Sequence, residues 1–413
     1  MLKKEAIILG IVLVSAMILP LIIEDVYSTP TRSIPPIVST EWLYNNLSLS
    51  NLVILDIRSA ELYNAGHIPG AINVPDVMWY VNPPFSDTFP WMEMPPEDYL
   101  KELIGNASIT PDSWVVVVGS TSGPLVPIPV ALYSTGGITR VAMTLLYAGI
   151  ENVAILDGGY EKWVEDEYSV ETTPNIPTPT TYTGTLNTEM IVSKEYVASK
   201  IGEAIIVDAR DLEVYLGFIQ EPWCARVGHI PTARSFPTPW LWDLNLNATG
   251  TGVNYTTYKS EDVLSDLTAL IVGTNKSAEI IVHCGVGGYA STMYFVLSEV
   301  LNYTNVKMYD GSAQEWTSDF ELPVVYEYLG SEYMDLQGNY TGLQDDYNNL
   351  QDSYNELQDD YNELQDDYNE LQDKYDELAA STLPAYLVWI LAATTVIFLL
   401  VSVYLAAKLR AKS

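Results

Sequence analysis

Cysteine is nearly absent: only Cys224 and Cys284 stand in 413 residues. Two thiols cannot build a disulfide framework, so the fold must be held by burial. A Cys224–Cys284 bridge would silence the sole candidate nucleophile. Basic side chains are scarce as well, 19 against 53 acidic ones, for a formal net charge of −34. That balance excludes nucleic acid as a partner. Histidine is limited to three residues. No constellation in the chain reads as a metal site, a phosphate loop or a serine triad, and no cofactor is expected.

The two ends are apolar. Met1-Leu-Lys-Lys-Glu5 precedes an uncharged run from Ala6 to Ile23, the pattern of a secretory signal. Val26 and Ser28 suit the small-residue positions before a cleavage point, so 1–28 reads as a signal peptide or an uncleaved N-terminal anchor. Near the other end, 383–407 carries no charge. At ~1.5 Å per residue it is long enough for a bilayer's ~30 Å hydrocarbon core. Tyr386, Trp389 and Tyr404 suit the interfaces, and Lys408, Arg410 and Lys412 should hold 408–413 in the cytoplasm. The chain is expected at the cell membrane, crossing once, with its N-terminal domains outside the cytoplasm. Asn-X-Ser/Thr sites at Asn46, Asn106, Asn247, Asn254, Asn275, Asn302 and Asn339 fit a glycoprotein so placed.

The most regular stretch lies in 326–380. Tyr340, Tyr347, Tyr354, Tyr361, Tyr368 and Tyr375 alternate with Leu343, Leu350, Leu357, Leu364, Leu371 and Leu378. This 3–4 spacing puts tyrosine at a and leucine at d of a coiled coil. Asparagine and aspartate are weak helix formers, so one isolated helix should melt and a homo-oligomer is expected. The segment reads as a stalk that lifts a head off a membrane.

Upstream, one order of landmarks occurs twice. The first half, 36–168, has Leu52-Val-Ile-Leu-Asp-Ile-Arg58 and Gly66-His-Ile-Pro-Gly-Ala71. It continues with Trp114-Val-Val-Val-Val118 and Ile155-Leu-Asp-Gly-Gly-Tyr-Glu-Lys-Trp163. The second half, 188–325, has Ile205-Ile-Val-Asp-Ala-Arg210 and Gly228-His-Ile-Pro-Thr-Ala233. It closes with Ile280-Ile-Val-His-Cys284 and Met308-Tyr-Asp-Gly-Ser-Ala-Gln-Glu-Trp316. Apolar strands alternating with helical patterns predict an α/β fold on parallel sheets. The Pro/Thr-rich 169–187 reads as a linker.

This combination, found twice in the same order, resembles the rhodanese family, specifically its tandem thiosulfate and mercaptopyruvate sulfurtransferases. The resemblance covers roughly 36–325. It implies two rhodanese-like domains with central parallel sheets, here followed by a long coiled-coil helix and one transmembrane helix. It also implies an enzyme, a sulfurtransferase that carries a persulfide on Cys284. Partners would be a small-molecule sulfur donor and a thiol or cyanide-like acceptor. The first half has no cysteine before its helix at Ile138, as in the silent first domain of tandem members.

Local chemistry bears on that implication. Gly285, Val286, Gly287, Gly288 and Tyr289 follow Cys284 between a strand and a helical pattern. Backbone N–H groups in such a loop supply positive potential, which predicts a lowered thiol pKa. Family members place cations or a serine just after the cysteine, and an arginine in Glu-Pro-Arg before the second Gly-His-Ile-Pro. This chain has a neutral loop and Glu221-Pro-Trp223, leaving Arg226 as the expected replacement anchor and Arg234 behind it. A less charged donor, polysulfide or another persulfide, is therefore expected. His67 and His229 should be structural, as should the pair Asp208 and Arg210, while His283 should point away from the thiol. Cys224 is expected as a packed thiol, with a resolving role as its other reading. Two other functions stay open: a structural cell-envelope stalk with a degenerate binding head, and a sulfur-binding sensor or carrier without turnover.

Overall fold

The computed structural model describes residues 32–81, 92–124, 130–326, 328–380 and 384–410. The expected signal or anchor over 1–28 lies outside them. The described chain divides into two compact units with the boundary at Ser331/Glu332.

Runs of β-branched residues make the strands of the first half: β1 Ile37–Val38, β2 Leu52–Asp56, β3 Ile72–Asn73, β4 Trp114–Val118 and β6 Val153–Leu156. They form one parallel sheet in the order β1-β6-β4-β2-β3. The second half repeats it with β7 Ile191–Val192, β8 Ile205–Asp208, β9 Arg234–Ser235, β12 Ile280–His283 and β13 Val306–Tyr309, in the order β7-β13-β12-β8-β9. Strand for strand, the two orders are the same. The registers Asp56↔Val118 and Asp208↔His283 put Gly119 and Cys284 at equivalent strand ends.

The helices lie along the chain as follows. In the first half they are α1 Thr40–Asn46, α2 Ala60–Ala65, α3 Glu97–Asn106, α4 Val130–Tyr147 and α5 Gly159–Glu165. The second half has α6 Lys194–Ser199, α7 Leu212–Tyr215, α8 Glu261–Ile271, α9 Gly288–Phe295 and α10 Ser312–Ser318. Serine oxygens cap three of them: Ser39 Oγ accepts from Trp42 N–H, Ser59 Oγ from Leu62 N–H and Ser193 Oγ from Tyr196 N–H.

Both central helices face the middle of the head. Buried residues of α4 and α9 join the inner faces of both sheets into one continuous apolar core. Separate smaller cores cover the two outer faces. Thr139 and Thr292 share a hydroxyl–hydroxyl bond of 2.6 Å where α4 meets α9. A second seam is a small antiparallel sheet. The hairpin β10 Trp242–Leu246 and β11 Gly252–Tyr258 pairs through β11 with β5 Gly123–Pro124 of the first half. The stretch expected as a linker crosses as ordered coil, with Tyr182 buried and its hydroxyl donating to Ala148 O at 2.7 Å.

In the second unit, α11 Tyr328–Ala380 is one helix of 53 residues. Leu343, Tyr347, Leu350, Tyr354, Leu357 and Tyr361 are all exposed in the single chain, so the tyrosine–leucine stripe lacks a cover. α12 Ala385–Arg410 is long and apolar enough to cross a membrane.

Candidate active site

The Asp-X-Arg and Gly-His-Ile-Pro motifs form one structural device, built twice. In the first half Arg58 Nη2 donates to Asp56 Oδ2 at 2.5 Å and to Gly66 O at 2.8 Å. In the second, Arg210 Nη2 donates to Asp208 Oδ2 at 2.6 Å and to Gly228 O at 2.7 Å. Each arginine thus ties a strand end to the loop before a histidine. His67 stacks on Tyr63 with its Nδ1 2.8 Å from Tyr63 O, and His229 stacks on Tyr215 with its Nδ1 2.8 Å from Tyr215 O. His283 is fully buried, with Nδ1 3.3 Å from Cys284 O and Nε2 3.8 Å from Asp208 Oδ2. Burial outweighs the pull of Asp208 and lowers its pKa.

Cys284 sits just past β12, buried, at the start of the turn into α9. Gly287 N–H donates to its Sγ at 3.1 Å. Gly287 has φ +100°, and a Cβ there would lie 3.0 Å from Arg140 Nη1, so glycine alone lets this amide turn inward. Gly285 is equally constrained: a Cβ would meet Trp223 Nε1 at 2.5 Å and Glu221 Oε2 at 2.7 Å. Behind the loop, Cys284 N–H donates to Ser312 Oγ at 3.3 Å, and Ala313 and Gln314 N–H donate to Cys284 O and Gly285 O at 2.9 and 3.0 Å.

The lowered thiol pKa expected from the loop is not found. Burial pushes the Cys284 thiol up and the charge of Glu221 adds to this; the N–H groups of Ala290, Val286 and Gly287 recover only part. Cys224 is also pushed up, to about 12, by burial and by Glu221, whose Oε2 accepts its S–H at 3.6 Å. Both cysteines are free thiols. Cys224 is thus a buried thiol held against Glu221.

Arg226, expected as the substrate anchor, is used elsewhere. Its Nε donates to Thr317 O, Nη1 to Leu322 O, and Nη2 to Trp316 O and Asp319 O, at 2.7 to 3.2 Å. The guanidinium caps carbonyls at the end of α10, which leaves no fork for an anion. Arg234 likewise donates to Ile271 O and Val272 O. Arg140, buried on α4, pairs with Asp310 across the halves, Nη1 to Oδ1 at 2.5 Å.

The walls of the site include residues that sequence reasoning passed over. Tyr133 of α4 stacks on Tyr289 at 5.4 Å, nearly parallel, and Trp242 meets Tyr289 edge-on at 5.9 Å. Glu221 lies against Gly285, with Arg210 Nη1 3.5 Å from its Oε2. Burial raises the Glu221 carboxyl, Arg210 pulls it down and Asp208 pushes it up again. The Tyr289 hydroxyl is buried and has no partner. Among the described residues no group of His, Cys and carboxylates could hold a metal ion.

The first half shows what closes such a loop. Its Tyr160 N–H donates to Gly119 O at 3.0 Å, as Ala313 N–H does to Cys284 O. There the carboxylate of Glu161 takes Thr121 N–H at 2.9 Å and Ser122 Oγ at 3.0 Å, and also Ser120 Oγ. The Thr121 amide and two loop hydroxyls are spent on a side chain of the same half.

Comparison with known proteins matches the chain to the rhodanese-like domain twice, over 39–166 and 193–319. A provisionally named thiosulfate sulfurtransferase of Synechococcus elongatus is 30% identical over 290 residues, 70% of this chain and 84% of that protein. The sulfur carrier protein TtuD of Thermus thermophilus is 27% identical over 302 residues, covering 70% and 95%. Among solved structures, wild-type EanB shares the fold with a TM-score of 0.58 at 21% identity, over 70% of this chain and 69% of that one. With both halves matched, the duplicated head places this chain in the rhodanese-like family, as a tandem pair of its domains.

Proposed function

We propose that the protein is a membrane-anchored sulfurtransferase that passes sulfane sulfur through a persulfide on Cys284. One observation carries this reading: a strand-end thiol whose Sγ accepts the Gly287 N–H at 3.1 Å in the turn between β12 and α9. The relatives named for thiosulfate sulfur transfer and sulfur carriage support it. In loading, Sγ attacks a sulfane sulfur of the donor. An S–S bond of the donor breaks, the Sγ–S bond forms, and the shortened donor leaves with the electron pair while the thiol proton passes to solvent. In transfer, an acceptor thiolate attacks the outer sulfur and Cys284 departs as the thiolate. No outside oxidant is needed, because sulfur moves at one oxidation level. The loop amides stabilise charge on sulfur in both steps.

Arg140, Arg210 and Arg226 are each committed to protein partners, and Glu221 lies beside the loop. Among the described residues such a site offers no ready cation to hold the compact thiosulfate dianion or the mercaptopyruvate carboxylate, so elemental sulfur, a protein persulfide, or polysulfide with its charge spread along the sulfur chain suits it better. The same shortage of cations favours a second reading, a head retained for binding on a structural envelope stalk. Incubation with polysulfide, followed by cyanolysis of protein-bound sulfane sulfur in wild type and Cys284→Ser, decides between them. Uptake lost in Cys284→Ser supports transfer. No uptake by the wild type leaves the binding head.

The charge-free core of α12 and the cations that follow it support a single-pass anchor, with the head outside the cytoplasm, 408–413 inside and sequons on the exposed side. The uncovered stripe of α11 supports a parallel homo-oligomeric stalk.

A further inference from the structure

The two halves can be aligned residue by residue around the loop. Asp157-Gly-Gly-Tyr-Glu-Lys-Trp163 answers to Asp310-Gly-Ser-Ala-Gln-Glu-Trp316, and the tryptophans fix the frame. Trp163 Nε1 donates to Ser169 O at 3.0 Å and Trp316 Nε1 to Pro323 O at 2.9 Å. Both are fully buried. The amide bonds Tyr160→Gly119 O and Ala313→Cys284 O give the same frame one helical turn earlier. In this frame Gln314 stands where Glu161 stands.

Glutamate and glutamine have the same reach. Glu161 uses it to close the first loop, taking the N–H of Thr121. The residue equivalent to Thr121 is Val286, whose N–H instead helps hold the Cys284 sulfur. Gln314 is 96% buried, yet neither its Nε2 nor its Oε1 has a hydrogen-bond partner. A buried primary amide with both ends open costs free energy unless a ligand or water meets it. Its backbone is fixed against the loop by the Gln314 N–H to Gly285 O bond of 3.0 Å.

We propose that Gln314 is the side-chain contact of the transferred sulfur, its amide N–H donating to the outer sulfur of the Cys284 persulfide in the space that Glu161 fills in the first half. This rests on the sulfur-transfer reading above. The change from carboxylate to amide does two things. It frees the Val286 amide for sulfur, and it replaces a negative group by a donor suited to an anionic persulfide.

The test is Gln314→Glu, which keeps shape and volume and restores the first half's chemistry. Gln314→Ala and Glu161→Gln accompany it, each checked by thermal melting. Gln314→Glu should slow iodoacetamide labelling of Cys284 at neutral pH roughly tenfold, a shift of about one pKa unit. Its loading by polysulfide should fall at least as far. Gln314→Ala should label like wild type but release its sulfane sulfur to cyanide several-fold faster. Glu161→Gln should change neither. A packing role would not move the pH midpoint of labelling in an isosteric variant. Wild-type labelling and loading in Gln314→Glu would overturn the proposal. If that variant does not fold, wild-type sulfur release in Gln314→Ala would overturn it. A wild-type chain that takes up no sulfur would remove the sulfur-transfer reading and this contact together, a result distinct from a failure at Gln314 alone.

Discussion

Cys284 and Cys224 differ in what faces them, and their reactivity should differ accordingly. The raised pKa of Cys284 keeps it protonated at neutral pH, so labelling should climb steadily from pH 7 past pH 9 instead of levelling off near neutrality. Mass spectrometry of labelled peptides over that range would check it; a plateau below pH 8 would contradict the burial argument. Cys224→Ser should retain nearly all sulfur uptake. Arg226 offers a second residue-scale test. Arg226→Ala strips donors from four carbonyls and should cost about 3 kcal/mol, seen as a lower melting temperature, while the folded protein loads sulfur normally. Selective loss of loading at unchanged stability would return Arg226 to the substrate. Sequence supplied the position of Cys284 because strand, thiol and glycines are contiguous. It could not supply the fate of Arg226, which depends on carbonyls some 90 residues away in the chain. Gln314 was legible only through the alignment of the two Trp-ended motifs.

Elements repeat the lesson at larger size. The duplicated order of strands was readable because each parallel strand is a short apolar run beside a motif of fixed form. The three-stranded β5–β10–β11 sheet was not, since β5 is two residues long and gains its identity from a distant hairpin. The buried Asp208–Arg210 pair gives this scale a pH dependence. Burial alone would raise Asp208, but Arg210 reverses that and holds it at about 2. A depressed carboxyl stabilises the fold above its unfolded pKa, and that contribution is lost as pH falls towards about 2. Melting temperature should therefore drop between pH 4 and pH 2, and less steeply in Asp208→Asn. In α11, the thirteen carboxylates of 341–378 repel most at low ionic strength, where the Debye length is ~30 Å compared with ~8 Å at physiological salt. A soluble chain ending near Ala380 should gain helicity and mass with added salt, and Leu357→Asn with Leu364→Asn should leave it monomeric. Sedimentation at 10 mM and 500 mM salt, between which the Debye length shortens about sevenfold, would decide it.

At the scale of the whole molecule, composition announced an acidic protein with an apolar C-terminal helix, and the two units fall where the heptads begin. Removing 381–413 should move the protein from the membrane fraction to the soluble one without loss of sulfur uptake. Retention in the membrane fraction would mean that another segment anchors it. The two halves of the head share one apolar core and the Arg140–Asp310 pair, so the second half expressed alone should aggregate even though it owns the thiol.

The closed first loop sets a limit on re-engineering the head. Gly119 is not merely a cysteine that is missing. A Cβ there would lie 2.5 Å from Ile138 Cγ1, and Glu161 already occupies the Thr121 amide. A thiol in that half is locked out by its neighbours. Reversion by Gly119→Cys alone should yield a strained, silent protein, and only together with a smaller residue at Ile138 and with Glu161→Gln should a second sulfur-accepting thiol emerge. The duplication divides labour by exclusion: the surroundings of Gly119 leave no room for a thiol in one half, and the other half holds it.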